Sequence, residues 1–243
     1  MRGFIGAVSL LTRVPVRADA NTTRTTAWLP VVGVLIGSAV AGVYVGMRAV
    51  TPSLVAASVA VTVGIALTGA LHEDGLADVA DAFGAGVDRA RTLEILRDPR
   101  HGTYGVLALV VSVVVRIAAL AALDVPAALV ALPAAHGIAR AAASGGMIAV
   151  RPARGDGLGA AYATGKAGAL VGGAVVCAAA IVATGPWALA ASAIGAVAAV
   201  TLSALAVRKA GGFTGDVLGA IEQATEGGVL ILAAAWTPEL LLT

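Results

Sequence analysis

Between residues 72 and 81 the chain reads His-Glu-Asp-Gly-Leu-Ala-Asp-Val-Ala-Asp. Asp74, Asp78 and Asp81 stand at i, i+4 and i+7, which on a helix places three carboxylates on one stripe. Like charges at that spacing repel, and no Lys or Arg lies between His72 and Val87 to offset them. A divalent cation resolves the conflict. Hard oxygen ligands suit Mg²⁺, which commonly joins protein carboxylates to the phosphates of a substrate. The competing account is a solvated acidic segment whose aspartates cap helices.

Three further polar patches accompany the stripe. Downstream come Arg89, Arg91, Glu94, Arg97, Asp98, Arg100, His101, Gly102 and Thr103, and basic groups next to carboxylates suit a phosphate-rich substrate. Positive charge that merely anchors a membrane loop is the plainer explanation. Two glycine-rich stretches, Arg154-Gly-Asp-Gly-Leu-Gly and Gly211-Gly-Phe-Thr-Gly-Asp216, allow close backbone approach to a ligand, as ordinary turns between helices also do. Asp216 stands where a helix begins, so capping or the helix dipole accounts for it nearly as well as chemistry does. Glu222 and Glu226 are i, i+4 within an apolar run. Carboxylates at such depth are costly and usually functional, unless a partner such as Arg116 neutralises them.

The elements that carry these residues follow from composition. Of 243 residues, 59% are hydrophobic and 12% charged, and the mean hydropathy is +0.94. Soluble domains carry about a quarter charged residues. The pattern predicts an all-α, polytopic membrane bundle of about seven transmembrane helices. The unbroken Ala/Val/Leu/Gly runs do not alternate as strands of a membrane barrel would. The single cysteine, Cys177, excludes an internal disulfide.

Spans are expected at Ala27–Met47, Ser53–Leu71, Tyr104–Leu123, Val125–Ala139, Ala167–Thr184, Trp187–Val207 and Val217–Trp236. Residues 1–26 hold Arg2, Arg13, Arg17 and Arg24 around a short apolar stretch. No small-residue cleavage site follows as in a signal peptide, so an amphipathic helix at the interface is expected. With seven spans, fourteen of the sixteen Lys and Arg residues fall on one side. This predicts a cytoplasmic N-terminus, an outer C-terminus and the polar patches facing the cytoplasm. The whole of 1–243 reads as one integral membrane domain, with 72–103 as its main catalytic segment.

No nucleophile triad, zinc-ligand pattern or Walker loop is present, and basic residues are not interleaved with aromatics as a nucleic-acid site would require. A transporter would place carboxylates at the midplane and use repeated or broken helices. The acids here cluster at one face, and no internal repeat is visible.

The order and spacing of the motifs resemble the cobalamin synthase family. They are Leu11-Thr-Arg-Val-Pro15, the 72–81 stretch, Arg97-Asp-Pro-Arg-His-Gly-Thr-Tyr-Gly105 and Gly211-Gly-Phe-Thr-Gly-Asp216-Val-Leu-Gly-Ala. The resemblance runs from near residue 4 to about residue 230. Ala82 and Pro99 depart from the family's usual Gly and Ser. The resemblance implies an adenosylcobinamide-GDP ribazoletransferase of the bacterial inner membrane, acting late in cobalamin biosynthesis. It implies Mg²⁺ on Asp74, Asp78 and Asp81, with Asp216 as a fourth catalytic residue. His72, Glu73, Arg97, Arg100, Thr103, Lys166, Thr214, Glu222 and Glu226 are the implied substrate contacts. The implied partners are small-molecule substrates and membrane lipid, not nucleic acid, with a homo-oligomer or assembly with other corrinoid-pathway enzymes left open. The rival of the same reaction class, the CDP-alcohol phosphotransferase family, shares an Asp-Gly-x-x-Ala start. It then has an Arg where this chain has Asp78, and the match ends there.

Overall fold

The computed structural model describes residues 1–16, 22–155 and 165–236. Arg17, residues 156–159 of the first glycine-rich stretch and residues 237–243 lie outside them. Ten helices carry the described chain: α1 Arg2–Leu11, α2 Leu29–Arg48, α3 Ser53–Thr68, α4 Leu71–Gly84, α5 Arg89–Ile95, α6 Thr103–Ala121, α7 Val125–Ala149, α8 Lys166–Thr184, α9 Pro186–Ala210 and α10 Gly215–Ala235. Two short helical turns over Thr22–Trp28 lead into α2. No β-strand occurs among the described residues. Six helices are long and apolar enough to cross a membrane, or seven if the bent pair α3 and α4 counts as one span.

That pair is where sequence and structure part. The expected span to Leu71 stops at Thr68, after 16 residues, or about 24 Å of helix. Gly69 (φ 66°) and Ala70 (φ 58°) are both left-handed. α4 therefore leaves at 89° to α3. Arg13 secures the bend: its N–H donates to the Leu67 carbonyl at 2.8 Å, and its guanidinium lies against Gly69. Residues 72–103, the expected catalytic segment, are mostly the helices α4 and α5. α4 packs against α6 and α10, with Gly84 at Tyr104 and Gly75 at Asp216 near their first turns and Glu73 reaching Arg116 and Gln223 further along them.

The fourth expected span is also corrected. α7 does not end before Arg140 but runs on to Ala149. Arg140 does not stop the helix because it is buried and paired inside the bundle. Pro133 removes one ladder hydrogen bond within α7. There α2 approaches closely: a Cβ on Gly37 would collide with the carbonyl of Leu132 and the backbone of Pro133. Small residues allow such approaches between membrane helices. Ala56, Ala57 and Ala60 of α3 likewise sit fully buried. α1 is not loose. Its face with Ala7 and Leu11 packs on Val32 and Ile36 of α2, and Phe4 meets Trp28 edge to face at 5.5 Å.

Candidate active site

The carboxylate stripe forms as the spacing requires, and its three members divide the work. Asp74 is two-thirds exposed, with its side chain at 66%, and Asp78 is at 15%. Asp81 is engaged elsewhere. Its two oxygens accept the backbone N–H groups of Gly102 at 2.6 Å and Gly105 at 2.9 Å. It thus caps α6, whose first N–H groups have no partner within the helix. Glycine suits both positions, because a Cβ on either would push the Asp81 carboxylate out of this cap.

The same docking lays His101 along the stripe. Its Nε2 stands 3.7 Å from Asp74 Oδ1, and its Nδ1 3.6 Å from Asp78 Oδ1. The Asp78 carboxyl is pushed up to about 7, first by burial and then by the charges of Asp74, Asp216 and Asp81, with His101 opposing. This is the repulsion anticipated from the spacing.

Asp216 joins from α10. Gly75 makes this possible, since a Cβ there would meet the Asp216 backbone at 2.8 Å. The cap of α10 is not Asp216 but Thr214, whose Oγ1 accepts from Val217 N–H at 3.4 Å and donates to Asp216 Oδ2 at 3.0 Å. The segment just before the first glycine-rich stretch is paired with the second: Ala153 N–H donates to Phe213 O at 2.8 Å and Phe213 N–H to Arg151 O at 3.0 Å. Arg154 consequently lies 3.9 Å from Asp216 Oδ2. Asp74, Asp78, His101, Asp216 and Arg154 form one cluster, drawn from α4, α10 and two loops.

The remaining expected contacts lie in other places. His72, Glu73, Glu222 and Glu226 face inward and are buried. There Glu73 pairs with Arg116 at 3.0 Å, and Arg116 with Glu226 at 3.1 Å. Glu222 pairs with Arg140 at 2.6 Å, and His136 Nδ1 stands 3.2 Å from Glu226. Gln223 donates to both Glu222 (3.0 Å) and Glu73 (3.3 Å) and accepts from Ser112. The partner role suggested for Arg116 therefore holds for Glu226. Arg100 is exposed and bidentate with Asp98, at 2.9 and 2.7 Å. Arg97 and Thr103 are exposed, and Lys166 Nζ donates to the Ile148 carbonyl at 3.1 Å.

From the sequence alone, His101 and His136 are given no role, and the fourth span ends at Ala139, just before Arg140. His136 and Arg140 stand i, i+4 with apolar residues between them, and that spacing was the available signal.

Residues 3–234 match the cobalamin-5-phosphate synthase family. Three relatives named adenosylcobinamide-GDP ribazoletransferase are similar over nearly the full length. That of Bradyrhizobium diazoefficiens is 46% identical, covering 95% of this chain and 92% of its own. That of Azorhizobium caulinodans is 41% identical, covering 93% and 94%. That of Pseudomonas aeruginosa is 36% identical, covering 96% and 98%. No solved structure matches.

Proposed function

The chain belongs to the cobalamin-5-phosphate synthase family and is a transferase of cobalamin biosynthesis, joining adenosylcobinamide-GDP to α-ribazole or its 5′-phosphate and releasing GMP; from that premise we propose that Asp74, Asp78 and Asp216 are its reaction centre. The ribose 3′-hydroxyl oxygen attacks the cobinamide-bearing phosphorus. One P–O bond forms, the bridging P–O bond of the diphosphate breaks, and GMP departs. The hydroxyl proton passes to a carboxylate of the cluster. The observation that carries this reading is the convergence of three carboxylates with one guanidinium, Arg154, at a partly open edge of the bundle.

A divalent cation would offset the charges of Asp74 and Asp216 on Asp78, whose carboxyl is raised first by burial and then by those neighbours; among the described residues, the group whose ligand atoms already stand within 4.8 Å of one another is the buried His136, Glu222 and Glu226. Asp74, Asp78 and Asp216 would hold the ion, which supplies positive charge to the diphosphate. Asp81 fixes the segment that follows by capping α6. Arg154 supports the phosphate oxygens as their charge grows. Arg97, Arg100 and Lys166 remain candidate phosphate contacts, and Arg100 would exchange its Asp98 pairing to serve. Buried as they are, His72, Glu73, Glu222 and Glu226 position α4 against α10 and act on the substrate through it. We place the site on the cytoplasmic side of a bacterial inner membrane, on the strength of the Lys and Arg distribution.

Asp78 sets a pH dependence. Below about 7 the ion must displace a proton from this carboxyl, so its apparent affinity is expected to fall by up to about tenfold per pH unit. Above about 7 it is expected to level off. Isothermal titration with MgCl₂ between pH 5.5 and 8.5 measures this, and a flat profile would remove Asp78 from the ligand set. Orientation has its own check. Reporter fusions after Trp236 and after Gly155 are expected on opposite sides of the membrane, and the same side for both would refute the seven-span reading.

The function is tested by assaying purified protein with adenosylcobinamide-GDP and α-ribazole. Wild type is expected to form the joined product and GMP in the presence of Mg²⁺. Asp216→Asn is expected to lose at least about a hundredfold in rate, the scale of one electrostatic contact. Thr214 already caps α10, so the helix does not need this carboxylate. Near-normal turnover would return Asp216 to a structural role.

A further inference from the structure

Arg89 has no part in the reaction described so far. Its neighbours along the segment are engaged: Arg91 pairs with Glu94 at 2.7 Å, and Arg100 with Asp98 at 2.7 Å. Among the described residues no carboxylate stands within ion-pair distance of Arg89. Its side chain is nevertheless held. The guanidinium lies across Gly211, where a Cβ would collide with Arg89 Cζ, Nη2 and Nε together. Gly211 is left-handed (φ 79°), a conformation that glycine adopts without steric cost. Arg89 is thus brought from α5 onto the turn that leads to Thr214 and Asp216.

The plain account is a cation at the end of α9, since helix C-termini favour positive charge. That end is already served. Gly211 N–H donates to Val207 O at 3.1 Å and Gly212 N–H to Ala206 O at 3.3 Å, which closes the helix. Arg208 and Lys209 stand in its last turn. Arg89 adds a third cation there, and it is exposed. The far end of the same turn carries the reaction centre. Phe213 is paired with Arg151 and Ala153, and Arg154 lies 3.9 Å from Asp216 Oδ2. Arg89 and Arg154 therefore border one turn from its two ends, with the carboxylates at the Arg154 end.

We infer that Arg89 holds the guanylyl phosphate of the donor, the group that leaves as GMP. This rests on the transfer reaction proposed above and assigns its leaving group a contact. A guanidinium suits the task, being planar, always charged and able to give two parallel N–H bonds to phosphate oxygens. The attacked phosphorus belongs beside Arg154 and the carboxylates, one of which takes the hydroxyl proton. The second phosphate of the diphosphate then lies further along the turn, toward Gly211 and the unpaired guanidinium. As the bridging P–O bond breaks, negative charge grows on this phosphate, and Arg89 offsets it.

The probe is GMP alone, titrated into the full-length protein in dodecyl maltoside, a detergent without phosphate. Wild type is expected to bind GMP and not guanosine. Arg89→Gln is expected to bind GMP at least about tenfold more weakly. In turnover it is expected to raise the KM for adenosylcobinamide-GDP by a similar factor, with the KM for α-ribazole changing less than about twofold. Arg91→Gln removes a charge from the same helix and is expected to change neither. Arg89→Lys keeps a cation at the end of α9 without the planar fork. Its melting temperature is expected to match wild type while its GMP affinity falls. GMP bound equally by wild type and both Arg89 variants, or by none of them while turnover proceeds, would overturn the role of Arg89 and leave the transfer reaction standing. A difference that appears only with phosphatidylglycerol vesicles would overturn it too, assigning the guanidinium to lipid headgroups. Wild type that neither binds GMP nor forms product would overturn the transfer reading itself.

Discussion

Asp78→Asn is expected to lower turnover by about a thousandfold, at the upper end for one electrostatic contact, without lowering thermal stability. Both halves follow from the same arrangement. Asp78 is far more enclosed than Asp74, with its side chain only 15% exposed against 66%. Its pKa is raised to about 7, above the ordinary carboxylate value of about 3.9. Sign matters here. A carboxyl whose folded pKa lies above its unfolded one favours the folded state only while protonated, and it costs stability as pH rises through and beyond the unfolded value. At pH 7.5, without divalent cation, a neutral Asn therefore relieves repulsion. Its melting temperature is expected to equal or exceed that of wild type. With saturating Mg²⁺ the order reverses, because only wild type gains binding energy from the ion. A thermal melt of both proteins, with Mg²⁺ and with chelator, reads this directly. A variant that melts lower under chelator would mean that Asp78 is a structural residue, whatever its turnover.

Much of this site was legible because charge is scarce in the chain. Three aspartates at i, i+4, i+7 without a compensating cation form a strong signal where 12% of residues are charged. The helix they require is present. What the spacing could not reveal is that Asp81 would be taken by two backbone N–H groups 21 and 24 residues away. A cap between distant segments leaves no periodic trace. Asp216 shows the converse. Its position at a helix start is compatible with capping, and only the geometry assigns the cap to Thr214.

The fold was readable wherever apolar runs were long and uninterrupted, as in α2, α8 and most of α9. It was misread where polar residues were buried. Arg140 looks like the end of a span because a bare guanidinium in hydrocarbon is costly. Its partner Glu222 lies 82 residues further on, and the pair makes the helix continuous. Leu71 looks like the end of the second span because hydropathy carries no information about direction. The 89° turn at Gly69 and Ala70 needs two left-handed residues, and alanine does not advertise that conformation.

The buried network supplies the other large effect. Among the described residues, Glu73, Glu222 and Glu226 are opposed by two guanidiniums, Arg116 and Arg140, and all five side chains are at most 8% exposed. Arg116 binds two of the three acids, one on α4 and one on α10, from its place on α6. Arg116→Leu keeps the bulk but leaves both carboxylates without that partner. Breaking a buried pair by removing one member costs about 3–5 kcal/mol. In a chain of this length that lowers the melting temperature by roughly 10 °C. The cause is charge rather than volume, so neutralising the stranded acids should restore much of the loss. Adding Glu73→Gln and Glu226→Gln to Arg116→Leu is expected to recover at least half of it, because a neutral polar group is far cheaper to bury than an ion. Activity is expected to fall in Arg116→Leu as well, since Glu73 directly precedes Asp74 and ties the first turn of α4 in place. A single variant that melts like wild type would show that this guanidinium is not what balances the acids. A triple variant no better than the single one would trace the damage to packing around α6 instead.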